Sequence, residues 1–240
     1  MVFGYVYEAG LRPNNQDALL VRSTKLSQGE LVMAVVCDGM GGEECGEQAS
    51  YECLQFLDCW FDRELLPVFM NVSYKFYEKR NIIRTKGNSA FYQINRKLFH
   101  MMRKHMGRMG TTVSMLILYG KYYYLFHMGD SRIYFVRSVF GKTQFIQKTT
   151  DHAVKHRLQR CLGLNKDYMP DFNYGITTCK NFVLCSDGFS NLFDSDIWSV
   201  CLDTKSMTDS GRINRRLKEL AEDNMRRGET DNISAVWMKI

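Results

Sequence analysis

Three times in this chain an apolar stretch runs into an aspartate followed by glycine or a small polar residue. Val32-Met-Ala-Val-Val-Cys leads into Asp38-Gly39, Leu125-Phe-His-Met-Gly into Asp130-Ser131, and Phe182-Val-Leu-Cys-Ser into Asp187-Gly188. A fourth aspartate, in Thr230-Asp231-Asn232, stands just before the apolar run Ile233-Ser-Ala-Val-Trp. A strand end is a rigid mount for a carboxylate, and glycine allows a tight turn and close backbone approach. Several acids gathered at one place repel one another and resist ionisation. They persist as carboxylates when hard cations sit between them. An all-oxygen donor set without His or Cys suits Mg²⁺ or Mn²⁺. Asp-Gly on its own is a turn signal, so the residues alone leave a metal site and a set of turns both open.

Other chemistries are excluded by their missing parts. None of the eight cysteines is followed six positions later by arginine, as a cysteine phosphatase requires, and no pair is spaced C-x-x-C. Gly141-Lys-Thr has the tail of a P-loop, but Val136 occupies the first glycine position. There is no G-x-S-x-G elbow. His152 and His156 could share a helix face but lack the glutamate of H-E-x-x-H, so a surface or capping role is expected over zinc binding. No protein nucleophile stands out.

The elements that must position the acids follow from pattern. Phe3–Tyr7, Asp17–Arg22 and Leu31–Cys37 have strand character. A helix is expected from Gly46 to Phe61, with Ala49, Cys53, Phe56, Leu57 and Trp60 at three-to-four spacing, and a second over Asn88–Met106. Residues 62–87 give no clear pattern. Thr112–Tyr119, Tyr122–Met128, Arg132–Val136 and Thr143–Lys148 read as strands, with hairpins at Gly120-Lys121 and Gly129-Asp130. Ala153–Cys161 is expected as a short helix, Phe182–Cys185 as a strand, Leu192–Cys201 and Arg212–Arg226 as helices, and Ile233–Met238 as the last strand. With no repeat, linker or low-complexity tract, residues 1–240 are expected to form one domain. The blocks of strands and pairs of helices indicate an α+β class, with antiparallel sheets packed face to face and helices outside.

Composition agrees. The 240 residues are 45% apolar and 24% charged, with three prolines, an ordinary globular balance that excludes disorder. The apolar runs are far too short to span a membrane. Met1-Val-Phe-Gly-Tyr has no basic start, apolar core or cleavage site, so a cytoplasmic location with reduced thiols is expected. The net charge of +6 is unevenly spread: residues 1–66 carry 4 basic and 11 acidic side chains, and residues 71–110 carry 10 basic and 1 acidic. The positives, from Lys75 to Arg108, are interspersed, which favours a solvated helix face over a site for nucleic acid or another anionic partner. No nucleic acid or membrane partner is expected.

The order of the short motifs carries further information. Arg12-Pro-Asn-Asn-Gln-Asp17, Cys37-Asp-Gly-Met-Gly-Gly42 with Gly46-Glu-Gln-Ala-Ser50, Gly110-Thr-Thr112, Gly129-Asp-Ser-Arg132, Thr150-Asp-His152, Arg160-Cys-Leu-Gly163, Ser186-Asp-Gly188 and Thr230-Asp-Asn232 follow one another over nearly the whole chain. In this order they resemble the metal-dependent protein phosphatases of the PPM family, the protein phosphatase 2C type, and in particular its compact bacterial members. The resemblance implies a four-layer αββα sandwich: two packed antiparallel sheets flanked by helices on both outer faces. It implies hydrolysis of phosphoserine and phosphothreonine in proteins by a water bridging two Mn²⁺ or Mg²⁺ ions. Asp38 would bridge both ions, the Gly39 carbonyl would ligate one, and Asp187 and Asp231 would complete the pair. Asp17 would act mainly through a bound water, Asp130 would help hold a third, weaker ion, and Arg12 would grip the substrate phosphate. Two cations sharing a water lower its pKa, and a forked guanidinium stabilises phosphoryl charge. Partners would be phosphorylated proteins, the products of a serine/threonine kinase, with the enzyme a monomer.

Two departures from the family pattern stand out. Met40 replaces the histidine that many eukaryotic relatives use to protonate the leaving group, as it commonly does in bacterial relatives. Only residues 153–159 separate His152 from Arg160, so the flap that usually covers the site is expected to be truncated or absent. Two other readings stay open: a catalytically silent phosphoprotein-binding module on the same fold, and a phosphatase for small phosphate esters.

Overall fold

The computed structural model describes residues 1–41, 45–104, 109–154 and 157–240. Gly42 of the glycine-rich motif, Arg108 of the basic stretch and His156 of the histidine pair lie outside the described residues.

Alternation of apolar side chains builds the frame. In β3 (Gly29–Gly41), Leu31, Met33 and Val35 point to one face while Val32, Ala34 and Val36 point to the other, the period of a strand. Both faces are covered, which is why this strand is one apolar run. It lies inside a sheet ordered β11-β6-β5-β3-β2, formed with β2 (Asp17–Leu26), β5 (Val113–Tyr119), β6 (Tyr122–Met128) and β11 (Asp171–Ile176). The short β4 (Met109–Thr111) pairs with the end of β3. The other sheet is ordered β1-β13-β12-β7-β8, from β1 (Val2–Glu8), β13 (Ile233–Lys239), β12 (Asn181–Cys185), β7 (Arg132–Val139) and β8 (Lys142–Gln147). All these pairings are antiparallel.

Three apolar layers hold the sandwich together. Val32, Val36, Leu116, Phe135, Phe182, Leu184 and Val236 fill the space between the sheets. Ala49, Cys53 and Leu57 of α1 (Cys45–Trp60), with Phe91, Ile94 and Leu98 of α3 (Phe76–Lys104), cover the outer face of the first sheet. Trp198 of α5 (Ser195–Cys201) and Ile213, Leu217 and Ala221 of α6 (Ser210–Arg226) cover the second. Asp194 and Asp209 cap the last two helices by accepting hydrogen bonds from their first-turn N–H groups. This is the expected α+β arrangement of two packed antiparallel sheets between helical layers. Among the described residues all eight cysteines are free, and no helix is long and apolar enough to cross a membrane.

Four expectations are corrected. The second helix begins at Phe76, twelve residues before the expected Asn88. Residues 62–87 showed no clear pattern, and Gly87 stands inside this helix although glycine in a helix interior costs about 1 kcal/mol relative to alanine. It is glycine because a Cβ there would collide with the Phe126 ring. Between α1 and α3 the patternless stretch holds a wide π-turn (Phe61–Leu65) and α2 (Leu66–Met70). Gly129-Asp130 is not a hairpin: β6 belongs to one sheet and β7 to the other, so this turn crosses between them. Ala153–Cys161 is not a helix: Ala153–Val154 (β9) and Arg157–Leu158 (β10) pair as a small antiparallel ladder. Finally, the expected Leu192–Cys201 helix begins only at Ser195 (α5), a separate single turn α4 (Asp187–Ser190) precedes it, and β11 had no recognised signal.

Candidate metal centre

The acids converge at one end of the sandwich because the strands that carry them end there. Asp17 opens β2 and lies opposite Asp38 in the antiparallel register with β3. Asp130 sits in the crossing between the sheets, Asp187 begins α4 directly after β12, and Asp231 precedes β13. Carboxylate oxygens of Asp38, Asp130 and Asp187 all lie within 4.8 Å of one another. Six of the seven residues expected at the site, Arg12, Asp38, Gly39, Asp130, Asp187 and Asp231, line a single open cleft of about 260 Å³. The seventh, Asp17, is buried behind it.

The electrostatics of this cluster are those of an incomplete site. Burial, then repulsion from Asp17, Asp187 and Asp130, holds the Asp38 carboxyl well above its ordinary value. Burial also pushes Asp17 up to about 7, with Asp187 and Asp231 adding to the rise and the nearby Ser234 and Ser186 hydroxyls softening it. Asp130 is raised to about 7 by burial and by Asp187. Asp187 is raised by burial and by Asp231. Both oxygens of Asp17 are buried with no hydrogen-bond partner. Unpaired buried carboxylates are among the costliest groups a fold can hold. Among the described residues Arg12 is the one basic side chain in the cleft wall, and its Nη2 is bonded to Asp231 Oδ2 at 3.1 Å. Orphaned oxygens, crowded acids and an all-oxygen donor set fit hard divalent cations.

The backbone around the acids is held by groups of several motifs. Asp38 N donates to Thr112 Oγ1 at 2.9 Å, while Thr112 N and Thr111 Oγ1 donate to Asp38 O at 2.8 and 3.0 Å. The Gly-Thr-Thr motif therefore fixes the Asp38 main chain from the side. Gly39 passes so close to Gly46 and Gln16 that a Cβ would collide with their carbonyls. His152 grips the Asp130 turn: its N–H donates to Gly129 O at 2.7 Å and its Nδ1 accepts from Gly129 N at 3.1 Å. Arg132 forms a fork with Asp151, with Nη2 at 2.7 Å and Nε at 3.0 Å.

Two contributors were not anticipated from sequence. Asn232 Nδ2 donates to the carbonyls of Ala9 and Asn14, both at 2.9 Å, and its Oδ1 accepts from Gln16 N at 2.9 Å. It ties the loop bearing Arg12 to the turn before β13 that bears Asp231. Its signal was its place in Thr230-Asp-Asn232, beside an acid already singled out. Leu158 of β10 also lines the cleft, so the short segment expected to lack a flap does reach the site. Reading that segment as a helix hid this. Met40 lies in the cleft wall with the Cys161 thiol 3.3 Å from its sulfur.

With the geometry in place, comparison with known proteins is informative. The sequence model of the family described as Protein phosphatase 2C matches residues 12–222. A putative protein phosphatase of Mycoplasma pneumoniae is 23% identical over 250 residues, covering 93% of this chain and 90% of the relative. Protein phosphatase PhpP of Streptococcus pneumoniae is 24% identical over 204 residues, 75% of each chain. Among solved structures, serine/threonine phosphatase Stp1 from Staphylococcus aureus superposes with a TM-score of 0.80 at 23% identity, covering 100% of this chain and 95% of that one. The catalytic domain of the serine/threonine protein phosphatase PstP, solved with two manganese ions, gives 0.72 at 23% identity, with 99% and 96% covered. At these identities the structural likeness establishes the fold.

Proposed function

The chain belongs to the protein phosphatase 2C family of metal-dependent protein phosphatases, and we propose that it hydrolyses phosphoserine and phosphothreonine in proteins at the acidic cleft. The observation that carries this reading is the cluster itself: three carboxylates within 4.8 Å of one another, backed by a buried aspartate with two unpartnered oxygens. Asp38, the Gly39 carbonyl, Asp187 and Asp231 would hold two Mn²⁺ or Mg²⁺ ions. Asp17 would act through bound water, and Asp130 would help hold a third, weaker ion. Bound there, divalent cations activate water for in-line attack at phosphorus and take up charge on the phosphoryl oxygens.

The chain's own residues divide the remaining work. Arg12 sits in an exposed loop with its Nη2 bonded to Asp231 Oδ2. When substrate enters, its guanidinium exchanges that carboxylate for phosphate oxygens, a charge-assisted and bidentate contact. Asn232 keeps the Arg12 loop at its distance from the acids. Met40 offers no proton to the departing serine or threonine oxygen, so solvent in the open cleft supplies it. Residues 1–240 would act as one catalytic domain, opposing a serine/threonine kinase.

The test is hydrolysis of p-nitrophenyl phosphate and of a phosphothreonine peptide, with Mn²⁺ and with EDTA. Mn²⁺-dependent release of phosphate from the peptide is expected. Turnover of the small ester alone would make the protein a small-ester phosphatase. Turnover of neither by a folded protein that binds Mn²⁺ in calorimetry would make it a silent phosphoprotein-binding module.

A further inference from the structure

Two motifs supply no candidate ligand, yet the fold brings both to the Asp130 turn: Thr150-Asp-His152, and the arginine that opens Arg160-Cys-Leu-Gly163. The side chain of His152 is only 10% exposed. The residue takes both main-chain polar groups of Gly129, donating through its own N–H at 2.7 Å and accepting at Nδ1 at 3.1 Å. Gly129 sits at a φ of 120°, and a Cβ on it would lie 2.5 Å from Thr112. On the other side of Asp130, the Ser131 hydroxyl is 2.7 Å from that of Thr112, which also accepts from Asp38 N. Asp130 is therefore held through both of its sequence neighbours, and the Thr112 contact ties its turn to the backbone of Asp38.

The ring of His152 is itself oriented. A backbone N–H can only donate, so Nδ1 facing Gly129 N carries a lone pair and the ring's proton sits on Nε2. Nε2 donates to Asp171 Oδ2 at 3.0 Å. The other oxygen of Asp171 accepts from Arg160 Nη2 at 3.1 Å, and the same Nη2 donates to the Met169 carbonyl at 2.8 Å. Arg160 Nη1 lies 3.2 Å from Nε2, but a protonated Nε2 accepts nothing, so the guanidinium acts on the ring through Asp171. The His127 ring stacks on that of His152 with centroids 5.0 Å apart. Tautomer, ring plane and distance are thus all set. A carboxylate commonly orients a metal-ligating histidine in this way; here the oriented nitrogen holds a peptide group beside a candidate ligand instead.

We propose that His152 is a positioning residue for the metal centre: oriented by Asp171 and Arg160, it clamps Gly129 and so keeps the Asp130 carboxylate in range of an ion shared with its acidic neighbours. Carboxylate oxygens of Asp38, Asp130 and Asp187 lie within 4.8 Å of one another, and such crowding drives the most loosely mounted acid outward until a cation arrives. Asp130 is that acid. Asp38 stands on β3 and Asp187 begins a helical turn, whereas Asp130 lies outside any strand or helix, in the crossing between the sheets. Neither His152, Arg160 nor Asp171 lines the cleft, so all three act through the turn. The inference rests on the divalent-cation part of the phosphatase reading and adds to it residues that touch neither ion nor phosphate.

The experiment is Mn²⁺ calorimetry on the full chain, with p-nitrophenyl phosphate turnover measured against Mn²⁺ concentration beside it. The variants are His152→Ala, His152→Asn, Asp171→Ala and the double variant His152→Ala/Asp171→Ala. His152→Ala should weaken the weakest Mn²⁺ step about tenfold, the lower end of the cost of losing a group behind a metal ligand, and leave the tightest step unchanged. The Mn²⁺ concentration for half-maximal turnover should rise by the same factor, with kcat recovered at saturating Mn²⁺. His152→Asn puts an amide oxygen where Nδ1 stood and should restore most of the affinity. Asp171→Ala should cost less than His152→Ala, and nothing further in its presence, because it acts through the ring. A lower melting temperature in EDTA with unchanged Mn²⁺ affinity would make His152 structural only and overturn the inference. So would an equal loss at every Mn²⁺ step, or full additivity of the two alanine variants. Should His152→Ala not fold, Asp171→Ala decides: selective weakening of the weakest step supports the clamp, and no weakening overturns it. A parent chain that binds Mn²⁺ but hydrolyses neither the ester nor a phosphopeptide would sink the phosphatase reading, while calorimetry still judges His152. A parent that binds no Mn²⁺ would sink both.

Discussion

Asp17 and Asp151 illustrate two uses of the same residue. Asp151 is fully served by the chain: Arg132 forks onto it and Gln147 Nε2 donates at 3.0 Å. Its neighbour Asp171 is similar. Burial works against its ionisation, but hydrogen bonds from His152 and Arg160 outweigh that and hold its carboxyl below the ordinary value. Asp17, by contrast, has two buried oxygens and no partner, and its acidic neighbours push it up to about 7 after burial has raised it. The paired network holds loops still. The unpaired cluster is complete only with a ligand from outside, and its instability is localised where function lies.

The largest effect should come from removing the centre of the unpaired cluster. Asp38→Asn should lower Mn²⁺-dependent turnover by on the order of 10²–10³-fold, the scale of losing one strong transition-state contact. It should also stabilise the metal-free protein, because one of the crowded, mutually repelling acids is gone. Steady-state kinetics and urea unfolding in EDTA check both halves. Undiminished turnover would break the assignment of Asp38.

The paired network should respond with the opposite sign. Arg132→Ala leaves Asp151 and the Ser190 carbonyl without their guanidinium and should destabilise the protein by about 2 kcal/mol, with or without Mn²⁺. Urea midpoints measure it. A neutral result would erase the contrast between the two regions.

pH sharpens the comparison further. Asp17 and Asp130 hold protons up to about 7 in the folded chain against an ordinary 3.8, and Asp38 is raised as well. Between roughly pH 4 and 7 the folded metal-free state therefore binds more protons than the unfolded one, and stability falls as pH rises. His127 opposes this: burial, then His152, lowers it to about 4 from 6.5, so it contributes stability that is lost as pH falls through that window. Several acids outweigh one histidine. The melting temperature in EDTA should be lower at pH 7.5 than at pH 5, and saturating Mn²⁺ should remove the difference. A higher melting temperature at pH 7.5 in EDTA would contradict the cluster's electrostatics.

The smallest effect concerns the link between the cluster and substrate. Arg12→Ala should raise KM for a phosphopeptide about tenfold, the value of one charge-assisted contact, while leaving Mn²⁺ affinity in calorimetry nearly unchanged. A large loss of Mn²⁺ affinity would show that Arg12 serves the acids rather than the phosphate.

Much of this was legible in the residues. The strands carrying the acids declared themselves, because a strand covered on both faces must be apolar throughout, as in Val32–Cys37. The aspartates stood out because each breaks such a run at its end. The motif order extended the reading to the whole frame. What failed was local signal with a tertiary cause. Residues 76–87 showed no pattern, and the Gly87 within them is set by the Phe126 ring, which is remote in sequence. Gly129-Asp130 looked like a hairpin because a turn within a sheet and a turn between sheets use the same residues.

By itself, then, the sequence determined most of the strands and helices, the α+β class and the candidate acids, since these depend on periodicity and residue type. Only the tertiary structure decided that Asp17 lies orphaned behind Asp38, and that Asn232 ties the Arg12 loop to Asp231. It alone showed that the alternating face of Phe3, Tyr5 and Tyr7 stays open to solvent. Alternation shows that a strand has two faces. Whether a face is covered, or a buried carboxylate partnered, depends on what other parts of the chain bring to it across space.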